Sequence, residues 1–323
     1  MPLISNSTYL RPSWLFSRHL ETIVPSTLRR ISGPKVKSRV RIETTDDDFL
    51  DLDWYKNNAD KVLILSHGLE GDSQRPYILG MVNKFFAEGW DVIAWNYRGC
   101  SGEPNRQPKF YHSGATSDLH EVVSYVLQQD FKEVALSGFS LGGNLTLKFL
   151  GEYEQDARVT AAAVFSVPLD LAGCAREIDK RHNVLYSKRF LKSLKEKVRC
   201  KSDLIKDMVD MAKIEQSKSV YEFDNYLTAP IHGFGTADNY YARCSSREFI
   251  HGIKIPTLVV NALNDPFLST SCFDTTNFVT SDDVYFEMPK FGGHVGFSSV
   301  GTRGVYWSEQ RAFDFISQQI HDR

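Results

Sequence analysis

Val134-Ala135-Leu136-Ser137-Gly138-Phe139-Ser140-Leu141-Gly142-Gly143-Asn144-Leu145-Thr146-Leu147-Lys148-Phe149-Leu150 decides how this chain is read. Val134 to Ser137 has the continuous apolar character of a short buried strand, and from Gly143 onward the spacing turns helical. Between them, Gly138-Phe139-Ser140-Leu141-Gly142 fits G-x-S-x-G, a sharp strand-to-helix turn that holds a serine hydroxyl at its tip. Gly138 and Gly142, lacking Cβ atoms, let neighbouring backbones crowd together there. The pentapeptide alone is common by chance; the strand before it and the helix after it carry the weight.

A serine hydroxyl is a weak nucleophile at neutral pH and needs a histidine base, itself oriented by a third group. In the chain order serine, acid, histidine, Asp265 ends the run Leu258 to Asn264 and is followed by Pro266, which stops a strand. His294 follows the run Val284 to Met288 through Pro289-Lys290-Phe291-Gly292-Gly293, a loop that glycine loosens enough to swing an imidazole over the turn. Asp274, Asp282 and Asp283 are rival acids, but none directly ends a buried run. His321, near the end of the last helical segment, reads as a solvated residue facing the helix dipole.

An oxyanion needs two donors. The turn supplies the amide of Leu141, and the loop after the first parallel strand, Ser66-His67-Gly68-Leu69-Glu70-Gly71, is expected to supply that of Leu69, with Gly68 and Gly71 bending the backbone. His67 to Asp72 also fits H-x-x-x-x-D, an acyltransferase pattern, but its place in this loop explains it better. Glu70 is expected to hydrogen-bond neighbouring loops.

Outward from the turn, an α/β chain emerges. Arg39 to Thr44 and Phe49 to Tyr55 alternate around Asp46-Asp47-Asp48, as a hairpin of antiparallel edge strands would. Apolar runs at Val62 to Leu65, Val92 to Trp95, Val134 to Leu136, Ala161 to Phe165, Thr257 to Asn261 and Val284 to Met288 read as parallel strands buried on both faces. Helical segments near Tyr77 to Glu88, Ser117 to Gln129, Asn144 to Tyr153 and Thr302 to Ile320 supply the crossovers. The expected fold is a mostly parallel twisted sheet with helices on both faces. From 168 to 249 the alternation stops and the chain turns polar and helix-rich, which predicts a helical lid inserted into a core of 1–167 and 250–323, with 1–38 packing near the lid. Within the insertion, Tyr186, Phe190, Leu194 and Val198 repeat every four residues among Lys188, Arg189, Lys192, Lys195, Lys197, Arg199 and Lys201. That is an amphipathic helix whose cations are expected on its solvated face.

Composition narrows the partners. Thirty-eight basic against forty acidic residues leave a net charge of -2 in 323 residues, so no overall field draws in nucleic acid. Five scattered cysteines without a CxxC pair argue against a disulfide framework and a structural zinc, and no metal or cofactor is expected. Neither a secretory leader nor a membrane anchor is read at the N-terminus. The expectation is a cytoplasmic protein, by default a monomer, acting on a small-molecule ester or acyl substrate.

These residues, with Asn96-Tyr97-Arg98-Gly99-Cys100-Ser101-Gly102-Glu103, Tyr111-His112-Ser113-Gly114, Phe223-Asp224-Asn225, Thr228-Ala229-Pro230, Asp265-Pro266-Phe267 and Gly292-Gly293-His294-Val295-Gly296-Phe297, resemble the YheT-like branch of the α/β-hydrolase superfamily, the hydrolase-4 group of esterases, over nearly the whole chain. The resemblance implies an α/β-hydrolase fold and a serine hydrolase of carboxylic esters, with Ser140, Asp265 and His294 at the positions of the triad. His19 and Glu21-Thr22-Ile23 look like the family's N-terminal segment. Animal relatives often carry an N-terminal membrane helix that is not read here, so the chain resembles the soluble, bacterial form. An acyltransferase using the same triad, or an idle ligand-binding module, are the alternatives to ester hydrolysis.

Overall fold

The computed structural model, which describes residues 3–274, 281–299 and 304–321, joins nine strands into one sheet: β1 (Leu3–Ile4), β2 (Lys37–Glu43), β3 (Phe49–Tyr55), β4 (Lys61–Ser66), β5 (Asp91–Asn96), β6 (Glu133–Phe139), β7 (Val159–Phe165), β8 (Thr257–Val260) and β9 (Val284–Glu287). Their order is β1-β9-β8-β7-β6-β4-β5-β3-β2. Pairing is parallel from β1 to β5 along that order and antiparallel at β5–β3 and β3–β2. The six apolar runs expected to form the parallel sheet are all strands.

Period-two side-chain alternation explains why those runs are continuous. Val62 and Ile64 of β4 join one core with Val122 and Leu145, whereas Leu63 and Leu65 join a second with Phe85 and Phe315. The first core is closed by α3 (Thr116–Leu127) and α4 (Leu141–Glu152), the second by α2 (Pro76–Ala87) and the C-terminal helix Trp307–His321. Both faces of each central strand are thus withdrawn from water, at about 25 cal/mol per Å² of apolar surface.

The hairpin forms as expected, but only half of it is an edge. β3 is buried at all seven positions and is paired on both sides, with β2 and with β5, so it is an interior strand. The reason lies in Asp51 and Asp53, which make the run look amphipathic although their charges are matched by the Arg41 and Arg39 guanidiniums across the hairpin. The opposite edge is β1, two residues long and too short for alternation to reveal. The C-terminal helix starts at Trp307; Thr302, its expected start, lies outside the described residues.

Between β7 and β8 the described chain has helices and no strand. The longest are α5 (Leu171–Ile178), α6 (Val184–Cys200) and Ala237–Cys244. They follow the carboxyl end of the sheet, where ligands bind in open α/β folds.

Candidate active site

Ser140 caps the junction of β6 and α4 with φ 53° and ψ -120°, a left-handed conformation that costs a non-glycine residue on the order of 1–3 kcal/mol. Its neighbours must be small for the turn to close. A Cβ on Gly138 would run into the carbonyl of Gly142, and one on Gly142 into the carbonyls of Ser66 and His67. The strain aims Ser140 Oγ at His294 Nε2, 2.9 Å away. On the far side of the ring, Nδ1 lies 2.9 Å from Asp265 Oδ2 and 3.1 Å from Oδ1. The Asp265 carboxylate is fully buried and also receives the Phe267 N–H at 2.9 Å. With Nδ1–H donating to this carboxylate, the tautomer that completes the network leaves the Nε2 lone pair facing the hydroxyl.

The structure therefore brings together Ser140, His294 and Asp265, carried on the connections that follow three different strands. None of Asp274, Asp282 and Asp283 is the carboxylate bonded to His294. Asp265 does not sit directly on a strand end, as its position after Asn264 suggested. β8 stops at Val260, and a turn closed by the Asp265 N–H on the Ala262 carbonyl carries the acid to the histidine. The His321 side chain lies outside the described residues.

Leu141 opens α4, so its N–H has no acceptor within the helix and points from the positive end of the helix dipole. In the opposing loop, Gly68 N–H donates to Tyr77 Oη at 3.0 Å and Glu70 N–H to Tyr111 Oη at 2.9 Å. Leu69 N–H, between them, has no acceptor among the described hydrogen bonds. Gly68 approaches the serine so closely that a Cβ there would touch Ser140 Cβ. His67 is structural: Nδ1 faces the Gly68 carbonyl at 2.8 Å, Nε2 receives the Tyr97 N–H at 3.3 Å, and burial lowers its pKa to about 3.

Sequence reasoning missed the brace behind His294. Glu21 of α1 (Arg18–Thr27) is buried and accepts from Gly292 N–H at 2.6 Å and from Asn264 Nδ2 at 2.9 Å. Asn264 in turn accepts from Gly293 N–H at 3.1 Å, and Thr22 Oγ1 from His294 N–H at 3.0 Å. Burial pushes the Glu21 carboxyl above its ordinary value, while these donors and Arg11 pull it down. The acid loop and the histidine loop are thus tied through one helix turn. The residues Glu21-Thr22 were visible as a motif; that they hold the histidine loop was not, because the contact spans more than 240 positions.

Two cavities meet at Ser140 and His294 and share Leu69, Phe190 and Phe267 in their walls. One, of about 1050 Å³, runs beneath the helices between β7 and β8 and is lined mainly by apolar residues such as Leu171, Leu194, Val198 and Leu227. The other, of about 1210 Å³, opens between α1 and α6 past Thr22, Arg75, Arg189 and Ser193. The four-residue repeat of α6 thus faces the cavities, as its amphipathic spacing required. Three of its cations depart from the expected solvated face, the first being half-buried Lys195, which donates to the carbonyls of Glu215 and Ser217 at 2.8 and 2.7 Å. Lys197 reaches Glu70 Oε1 and Cys100 Sγ, both at 2.9 Å, and buried Lys201 bonds Asn105 Oδ1 at 2.9 Å and the carbonyls of Gln107 and Lys109. Lys197 and Lys201 tie α6 to the loops that follow β4 and β5, because a long aliphatic stem lets the ammonium reach buried acceptors. Glu70 bonds Tyr111 Oη at 2.6 Å as well, the loop-bridging role expected of it.

No group of three or more histidine, cysteine or acidic side chains suited to a metal occurs among the described residues, and none of the described helices is long and apolar enough to cross a membrane.

Fold and site together define an α/β hydrolase. The family model Hydrolase_4, described as serine aminopeptidase, S33, matches residues 57–271, and the chain belongs to that family. Among its relatives is YheT of Escherichia coli (strain K12), whose name carries a provisional esterase assignment; the two are 34% identical over 98% of this chain and 95% of that one. A protein of Mus musculus named Phospholipase ABHD3 is 29% identical over 91% of this chain and 74% of its own. In three dimensions the fold resembles the Pyrococcus furiosus esterase Pf2001, with a TM-score of 0.60 at 16% identity, covering 90% of this chain and 96% of that one.

Proposed function

We propose that this protein is a serine esterase that hydrolyses carboxylic esters through an acyl-enzyme on Ser140. The observation that carries the reading is the unbroken relay from Ser140 Oγ to His294 Nε2 at 2.9 Å and from His294 Nδ1 to Asp265 Oδ2 at 2.9 Å. In the first step Ser140 Oγ attacks the ester carbonyl as its proton passes to His294 Nε2, and Asp265 stabilises the imidazolium. The carbonyl electron pair moves onto oxygen, where the amides of Leu69 and Leu141 receive it; one such donor is worth roughly 2.7–4 kcal/mol. Collapse re-forms the carbonyl and breaks the bond to the alcohol oxygen, which takes the proton from Nε2 and leaves. Water, deprotonated by the same imidazole, then attacks the acyl-enzyme and releases the acid.

Two cavities give each half of the ester its own place. The apolar one suits the acyl chain, and the one past Arg75, Arg189 and Ser193 suits a more polar alcohol. Residues 168–249 then act as a lid, with Lys197 and Lys201 as its fastenings. Names of relatives as esterase and phospholipase favour this class. The five unbridged cysteines fit a reducing compartment such as the cytoplasm.

A series of 4-nitrophenyl esters with lengthening acyl chains tests the reading. The expected outcome is release of nitrophenol that favours chains long enough to occupy the apolar cavity and falls on the order of 10⁶-fold in Ser140→Ala. Turnover that persists in Ser140→Ala contradicts it.

A further inference from the structure

The segment leading into α1 and the first turns of α6, the two helices that flank the second cavity, carry large apolar side chains in water and cations without acids to pair with. Trp14 is 57% exposed and Phe16 74%, while Leu15 between them is fully buried and its N–H closes a turn on the Pro12 carbonyl at 3.0 Å, which anchors the segment. Leu185, at the start of α6, is 79% exposed. The two stretches adjoin: His19 Nδ1 lies 3.2 Å from Tyr186 Oη, and the two rings stack with centroids 5.8 Å apart. Tyr186, Ile23 and Arg189 line the cavity that reaches Ser140 and His294.

Leu185, Lys188, Arg189 and Lys192 follow the i, i+3, i+4, i+7 spacing of one helix face, which flanks the cavity-lining face and shares Arg189 with it. Arg18, Arg181, Lys188 and Arg189 form no ion pair among the described residues, and Lys192 reaches Glu196 only at 4.0 Å. With a net charge of -2 for the whole chain, these cations are a local excess. Single exposed apolar residues are ordinary. Aromatic and aliphatic side chains set among unpaired cations at a cavity mouth have the make-up of an interfacial lipid-binding surface.

We infer that this rim docks onto an anionic lipid bilayer. Trp14, Phe16 and Leu185 enter the headgroup region, the cations of α6 face lipid phosphates, and the cavity mouth between α1 and α6 faces the membrane. A second copy of the chain fits the patch poorly, because a two-fold contact would set Lys188 and Arg189 against the same cations of the partner. Docking itself is independent of catalysis and of the esterase reading.

Co-sedimentation of the full chain with vesicles tests this, using phosphatidylcholine alone and phosphatidylcholine mixed with phosphatidylglycerol, at low and high salt. The expected result is binding to the phosphatidylglycerol vesicles that weakens with salt. It drops at least about tenfold in Lys188→Glu/Lys192→Glu, and is lost in Trp14→Ser/Phe16→Ser. Both variants keep wild-type turnover of a water-soluble acetate ester. Absence of binding by the wild type, equal binding to both vesicle types, or undiminished binding by either variant overturns the inference. So does a dimer in sedimentation equilibrium that Trp14→Ser/Phe16→Ser abolishes, which would assign the patch to self-association. If vesicle binding behaves as expected but no ester is turned over, docking stands and the esterase reading falls.

Discussion

At the scale of single residues, the account turns on which proton sits where. Asp265 can orient His294 only while its carboxylate accepts from Nδ1, since that bond is what leaves the Nε2 lone pair for Ser140. Asp265→Asn preserves the volume but offers an amide donor to Nδ1, which favours the tautomer with its proton on Nε2. The expected outcome is a fall in kcat on the order of 10⁴-fold, with an unchanged melting temperature; pre-steady-state kinetics would locate the loss in acylation. Ser140, Asp265 and His294 were all legible in the sequence. Each of the three follows a strand, and strands announce themselves as apolar runs. The amide of Leu69 was legible through the glycines beside it, but the tyrosine hydroxyls that engage its two neighbours were not, since Tyr77 and Tyr111 lie on other elements.

At the scale of elements, the histidine loop is held from α1 through Glu21 and Thr22 and from the end of β7 through Ser166, whose Oγ accepts the Val295 N–H at 2.9 Å. Glu21 is the positioning residue in that arrangement, because one carboxylate holds both Gly292 N–H of the histidine loop and Asn264 of the acid loop. Replacing Glu21 with alanine is expected to lower kcat about 10²-fold through misplacement of the imidazole, with KM little changed. Glu21→Gln, which keeps one acceptor, recovers part of the loss. A rise in KM without loss of kcat would instead place Glu21 in substrate binding. Strand pairing shows the same limit of sequence reading. Alternation located β2 and β3 but not that β3 lies inside the sheet, because charges paired across a hairpin look like solvated ones when only one strand is in view. Lys195, Lys197 and Lys201 were misread for a similar reason: spacing assigns a face of α6, not the reach of a flexible stem.

At the scale of the whole molecule, buried ionisable groups couple the fold to pH. Burial lowers His67 and His232 to about 3 and holds His112 well below its ordinary value, so all three are neutral in the folded state. The unfolded chain, with histidines near 6.5, binds more protons than the native one between those values, so stability grows as pH rises from about 3 to 6.5 and is lost on acidification. Asp224 acts in the opposite sense. Burial raises it to about 6, with Thr228 and Tyr241 partly opposing, so the native state holds a proton that the unfolded chain releases from about 4 upward. Melting temperatures recorded across this range are expected to climb with pH, and more steeply in Asp224→Asn. A flat profile would mean that these histidines are solvated. Net charge and cysteine count showed none of this, since a buried histidine and an exposed one are the same letter. The central claim concerns a single hydroxyl, and a fluorophosphonate probe followed by peptide mass spectrometry addresses it directly. The account predicts one adduct, on the peptide containing Ser140, that disappears in Ser140→Ala and drops sharply in His294→Ala; labelling of another residue, or none in an intact folded sample, would contradict it.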